Sequence, residues 1–108
     1  MVIRWWGATA GSDEVLAQYA EHLERTTFVE MFEIPGHLGA TLAVKVNSPS
    51  YELVVTSFWE DLQSAGHFEQ GEFDDAVVKP STQALLQSFD VKVESFETVV
   101  STGLHADL

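Results

Sequence analysis

Four histidines, five lysine or arginine residues and a large share of aromatic rings are what this chain of 108 residues offers for chemistry, and it has no cysteine. An imidazole titrates near neutral pH, so histidines are the side chains best able to take up and return a proton. His22 lies at the edge of a helical apolar stripe, one turn beyond Tyr19, where a pocket between helix and sheet would open. His67 adjoins Phe68 in a second helical segment. These two are the catalytic candidates, although either position also suits a half-exposed boundary residue. His37, in a Pro-Gly-His loop, and His105, near the last residue, are expected to be solvated. Arg4 stands within an otherwise apolar strand, where it can hold an anionic oxygen or pair with a strand carboxylate.

Other chemistries find little support. Without cysteine there is no disulfide, no thiolate nucleophile and no Cys-based zinc or iron–sulfur site. No two histidines stand close in sequence, and Glu72, Asp74 and Asp75 read as a solvated helix face, so no metal is expected. A phosphate-cradling glycine loop and a nucleophile elbow are also missing. The charge, 5 − 17 = −12, is spread along the chain, which argues against nucleic acid and for solubility, with a cationic ligand as the lesser alternative. The opening apolar run ends at Gly7, too short for a signal-peptide core or a membrane span, so a soluble, unprocessed, cytoplasmic protein with no membrane partner is expected.

The elements that would position these residues follow from periodicity. Branched and aromatic residues from Val2 to Ala10 predict a strand. Ser12 or Asp13 can cap a following helix, predicted over 13–33 from the helical spacing of Val15, Leu16, Tyr19, Ala20, Leu23, Thr27 and Met31. Thr26-Thr27-Phe28-Val29 is a poor helical stretch, where a kink or a change of helix type is expected. A hairpin follows, with strands over 38–46 and 51–59 and a turn at Asn47-Ser48-Pro49-Ser50. On the first of these strands Leu38, Ala40, Leu42, Val44 and Val46 should share a face. A short helix should begin near Asp61, helical pieces should occupy 73–78 and 81–89, and a last strand should run from Val91 to Val100. The order βαββαβ is that of an α+β, ferredoxin-like domain with an antiparallel sheet over 1–101, followed by a tail over 102–108.

Two helices cover only one face of such a sheet, yet Leu53 and Val55 alternate with Val54 and Phe58, so the third strand is apolar on both. A homodimer packed sheet against sheet is the expected cover for the second face. Of Trp5 and Trp6, only one can face the helices; the other should meet the partner copy.

Several of these pieces also recur together in a known family. They are Ile3-Arg4-Trp5-Trp6-Gly7, Tyr19, Pro35-Gly36-His37-Leu38-Gly39-Ala40, Ser57-Phe58-Trp59-Glu60, the spaced Leu62, Ala65 and Phe68, then Phe89-Asp90 and Val93-Glu94-Ser95-Phe96-Glu97. In this order they resemble the antibiotic-biosynthesis monooxygenase-like proteins of the dimeric α/β barrel superfamily, over about Met1 to Val100. The resemblance implies a monooxygenase that needs no cofactor and oxidises a small aromatic or polyketide-like compound with dioxygen, the substrate supplying the electrons. Arg4, Trp6, Tyr19, Trp59, Phe68 and Phe73 would then hold a flat aromatic ligand, and His22 or His67 would move the proton. An isomerase or cyclase using the same pocket and a non-catalytic small-molecule binding protein are the alternatives. Haem degradation is disfavoured. Aligned through Trp59, the places where haem-degrading relatives carry a proximal histidine and a tryptophan fall near Val78 and Phe68. Ser95 and Phe96 likewise stand where many relatives carry histidine and tyrosine in the last strand.

Overall fold

Burial alternates along the first strand, β1 (Val2–Ala10): Val2, Arg4, Trp6, Ala8 and Ala10 point into a core, and Trp5 lies on the other face. This is the period of a pleated strand with one face packed. The computed structural model describes residues 1–46, 51–66, 86–90 and 92–103. After β1 come α1 (Asp13–His22), a π-helical turn (Leu23–Thr27), α2 (Phe28–Phe32), β2 (His37–Val44), β3 (Tyr51–Trp59), α3 (Leu62–Gly66), β4 (Ser88–Phe89) and β5 (Glu94–Glu97). All strand pairs are antiparallel, in the order β2-β3-β1-β4, with β5 also on β1. The architecture is therefore the ferredoxin-like α+β layer expected from the sequence.

The long helix starts where Ser12 accepts the Val15 amide at 3.2 Å, with Asp13 and Glu14 in its first turn complementing the positive helix end. Its change of type lies slightly earlier than Thr26–Val29. The Thr26 hydroxyl donates to the His22 carbonyl at 2.6 Å and so competes for that acceptor, and the Phe28 amide reaches back to Leu23. α2 then ends at Phe32, one residue before the expected limit.

β3 has the expected bounds, whereas β2 begins and ends earlier, over His37–Val44 instead of 38–46. The register shift between His37 and Gly39 makes Leu38 the extra residue of a bulge, which removes it from the face shared by Ala40 and Leu42. Val46 lies past the strand and is exposed.

The last strand departs most. Ser88–Phe89, expected at the end of a helix, pairs with Thr9 and Ala8, and Glu94–Glu97 pairs with Trp5–Val2. From Phe89 to Glu94 the chain takes 94 − 89 = 5 steps against 8 − 5 = 3 on β1, so two extra residues bulge between the pieces. Asp90 holds the bulge in place. Its amide donates to the Gly7 carbonyl at 2.9 Å, its carboxylate accepts the Gly7 amide at 3.0 Å, and its carbonyl accepts the Trp6 indole N–H. Val99 and Val100, expected within the strand, are exposed beyond its end.

Two clusters form the core between sheet and helices. One gathers Trp6, Ala8, Ala10, Tyr19, Leu23, Leu53, Val55 and Leu86; the other gathers Val2, Met31, Trp59 and Ala65. Gly36 closes the turn between α2 and β2 with φ +91, a left-handed backbone, and a Cβ there would collide with the Ser64 side chain. Gly103 has a similar φ of +74 but open space around it. Gly103→Ala should therefore cost only the backbone term, about 1 kcal/mol. Gly36→Ala adds a steric overlap and should cost clearly more, about 2–4 kcal/mol, read as a larger fall in the urea midpoint at unchanged slope.

Candidate active site

Antiparallel pairing places cross-strand partners on the same face, so the inward side of the sheet can be read in rows. Val2 pairs with Trp59 and Trp59 with His37; Arg4 pairs with Ser57 and Ser95, and Ser57 with Ala40; Trp6 pairs with Val55, which pairs with Leu42. A polar row, Ser57–Arg4–Ser95, thus runs between two rows dominated by tryptophan. Arg4 is only 4% exposed and Ser57 only 5%. A guanidinium keeps its charge in proteins, so this interior carries a permanent cation, and burying one costs several kcal/mol unless acceptors surround it. Trp59, 1% exposed, donates its indole N–H to Ser57 Oγ at 2.8 Å, which holds the hydroxyl beside Arg4.

A ladder of rings leads from this layer towards solvent. Trp6 lies 6.4 Å from Tyr19, ring centre to ring centre, and Tyr19 stacks on His22 at 6.5 Å with the planes 21° apart. Phe89 closes on Trp6 from the opposite side at 6.3 Å. Burial of Tyr19 pushes its phenol well above the ordinary value, so it stays protonated and keeps an O–H that can donate. His22 is half-buried at the outer end of the ladder, next to the π-helical turn. Its imidazole stands at the rim of the interior.

The structure therefore lines Trp6, Tyr19 and His22 up ring to ring from sheet to helix, with Arg4 one row from Trp6 on the inward sheet face and Trp59 one row beyond Arg4. Trp6 and not Trp5 takes the inward position, as only one of them could. His67, Phe68 and Phe73 lie outside the described residues, as does Val78. His37 needs correction: it is half-buried instead of solvated, because β2 begins at this residue and sets its ring edge-on to Trp59 at 4.7 Å. Its Nδ1 is buried with no hydrogen-bond partner among the described residues, and burial lowers its pKa. Ser57 and Asp90 stand among the recurring sequence pieces but not among the predicted site residues; Ser57 is marked by being the polar residue at an inward step of β3, two before Trp59, whereas the role of Asp90 arises from a bulge that no local pattern shows. Among the described residues no group of three or more His, Asp or Glu could hold a metal ion, and no helix is long and apolar enough to cross a membrane.

No family model matches the chain, and no curated protein does. Solved structures do share its fold. A protein from Deinococcus radiodurans bearing the antibiotic biosynthesis monooxygenase name superposes with a TM-score of 0.61 at 17% identity, over 96% of this chain and 98% of that one. A variant of SnoaB, a cofactor-independent oxygenase from Streptomyces nogalater, gives 0.63 at 14% identity, over 93% and 95%. The haem-degrader MhuD from Mycobacterium tuberculosis, with two haems bound in its active site, gives 0.60 at 16% identity, over 94% and 99%. At these identities the likeness is one of fold, and the neighbours span two chemistries.

The buried Nδ1 of His37 makes the protein sensitive to acid. Its folded pKa lies below the ordinary 6.5, so below that pH the unfolded chain binds the proton more readily than the native one. The contribution to stability is complete above about pH 6.5 and is lost as pH falls towards the lowered folded value. Urea midpoints measured between about pH 7.5 and pH 5.5 should fall less steeply for His37→Gln than for the parent chain.

Proposed function

We propose that this protein is a cofactor-independent monooxygenase for a small aromatic or polyketide-like anion, and that it works as a homodimer. The observation that carries the reading is the buried Arg4 beside Ser57, set between tryptophan rows under a helix that presents His22. An enol or phenol that loses a proton to His22 becomes electron-rich enough to reduce dioxygen. A fixed cation in a layer poor in water favours that anion far more than bulk solvent would. One oxygen atom ends on the substrate carbon and the other leaves as water; all the electrons come from the substrate, as when a ring CH2 becomes C=O. Trp6 and Trp59 supply flat apolar surface, and the protonated Tyr19 supplies a donor. The shared fold with SnoaB, named a cofactor-independent oxygenase, supports the same reading.

The dimer reading rests on the outer sheet face. Trp5 and Phe96 are 37% and 51% exposed there, beside a groove of about 690 Å³ lined by Trp5, Gly7, Thr9, Ala43, Val54 and Asp90, among others. A face with a protruding ring next to a hollow floored by small residues is self-complementary under two-fold symmetry. Light scattering should give twice the chain mass for the parent protein and the single mass for Trp5→Glu; a parent protein of single mass would refute the dimer.

Metal-stripped protein incubated with anthrone should consume oxygen with formation of anthraquinone. His22→Ala should lower the rate on the order of 10²-fold, the usual worth of a positioned base. No uptake above that variant would sink the oxygenase reading. Turnover of a cyclisable or isomerisable substrate without oxygen would instead assign the pocket to proton transfer alone, and a Soret shift on titration with haem would assign it to the chemistry of MhuD.

A further inference from the structure

Among the described residues, the helical layer carries apolar side chains outside the core, next to Phe28, which packs against it. On α2, Met31 takes the inward position at 6% exposure, whereas Val29 and Phe32 are 48% and 82% exposed. With the half-buried Phe28 they line a groove of about 290 Å³ whose remaining walls are Glu24 and Glu33. Exposed apolar residues scattered singly need no explanation, but a contiguous patch with a charged rim marks an interaction surface.

We propose that this groove docks a cationic amphipathic helix belonging to another protein. Residues 24, 28 and 32 stand four apart, as do 29 and 33, so the groove runs between two of the ridges that a helix surface presents. The natural complement of such a groove is a ridge of another helix. Glu24 and Glu33 are nine residues apart, about 13 Å along the axis, and place a carboxylate at each end of the apolar floor. Arg25, on the same helix, is paired with Glu21 at 2.9 Å, so the cation beside the groove already has a carboxylate. The matching partner carries two or three apolar residues at helical spacing with Lys or Arg at both ends. A second copy of this chain is a poor occupant, because docking groove to groove would set Glu24 and Glu33 against their own counterparts, and an anionic lipid surface is repelled by the chain's formal charge of −12. The groove is small, which suits a weak and transient association. It lies on the helical layer, so a dimer formed through the opposite face of the sheet leaves it open.

The test uses a fluorescein-labelled Leu/Lys amphipathic peptide of about five helical turns, followed by fluorescence anisotropy at about 150 mM salt to screen long-range attraction. Binding should weaken about tenfold or more in Phe32→Ser and in the double variant Glu24→Gln, Glu33→Gln. It should hold in Glu14→Gln, Glu97→Gln, which removes two charges elsewhere. Phe32 is exposed, so its variant should keep the parent thermal midpoint, and Val29→Ser serves as a second probe of the floor. Equal loss in the two double variants, or undiminished binding by Phe32→Ser and Val29→Ser, would reduce the interaction to net charge and overturn the proposal. So would tighter peptide binding by a chain ending at Gly103, which would make residues 104–108 the occupant, or a fall in molecular mass in Phe32→Ser, which would make it a second copy.

Discussion

The pairing of β1 with β3 governs the rest of the molecule. It runs without interruption from Val2 opposite Trp59 to Ala10 opposite Tyr51. Side chains alternate between faces along a strand, so a slip of one residue would turn Arg4 and Trp6 to the outer side and bring Trp5 within. The register is held because the inward set, Val2, Trp6, Ala8 and Ala10 against Leu53, Val55 and Trp59, is the apolar one that the helices bury. Every element of the candidate site depends on this choice. β1 lies in the middle of the sheet and presents Arg4 beside Ser57, while β3 carries Trp59 within reach of Ser57 Oγ.

Burying a cation in an apolar layer is costly unless acceptors surround it. Replacing a buried charge with a well-packed apolar side chain is often neutral or stabilising, so packing alone gives no reason for an arginine at this position. The tryptophan N–H groups on the same face are each satisfied. Ser57 is held by the Trp59 indole, and the Trp6 indole is satisfied separately by the Asp90 carbonyl. Both tryptophans can therefore serve as flat apolar walls without a stranded N–H.

The two faces of the sheet differ in what they present. The inner face combines the polar row with the ring ladder that ends at His22, next to a π-helical turn. Such turns keep part of a helix out of ideal register, and here the Thr26 hydroxyl bonds the carbonyl of the residue that carries the imidazole. The outer face has a polar row of its own at one end, where Lys45 pairs with Glu52 at 3.1 Å and the Thr9 and Ser88 hydroxyls share a hydrogen bond; beside it stand Trp5 and its neighbours, and the bulge is fastened by Asp90 on Gly7.

Much of this was legible in the residues themselves, because alternation and helical spacing report burial directly. They sufficed for the order βαββαβ, the bounds of β1 and β3, the rule that only one of Trp5 and Trp6 faces inward, and a weak point in the long helix. Where local pattern was outweighed by long-range pairing, sequence alone could not decide. Leu38 belongs to an alternating run yet leaves its face, because a bulge opposite Trp59 inserts one extra residue. Ser88–Phe89 follows a helical pattern but extends, since Ala8 and Thr9 offer it a free strand edge. His37 looks like a loop histidine and becomes a half-buried one, because Gly36 turns the chain so that the ring meets Trp59. The chain by itself determined which residues must be buried. Tertiary structure decided which of them meet, because bulges and strand edges depend on residues far away in sequence.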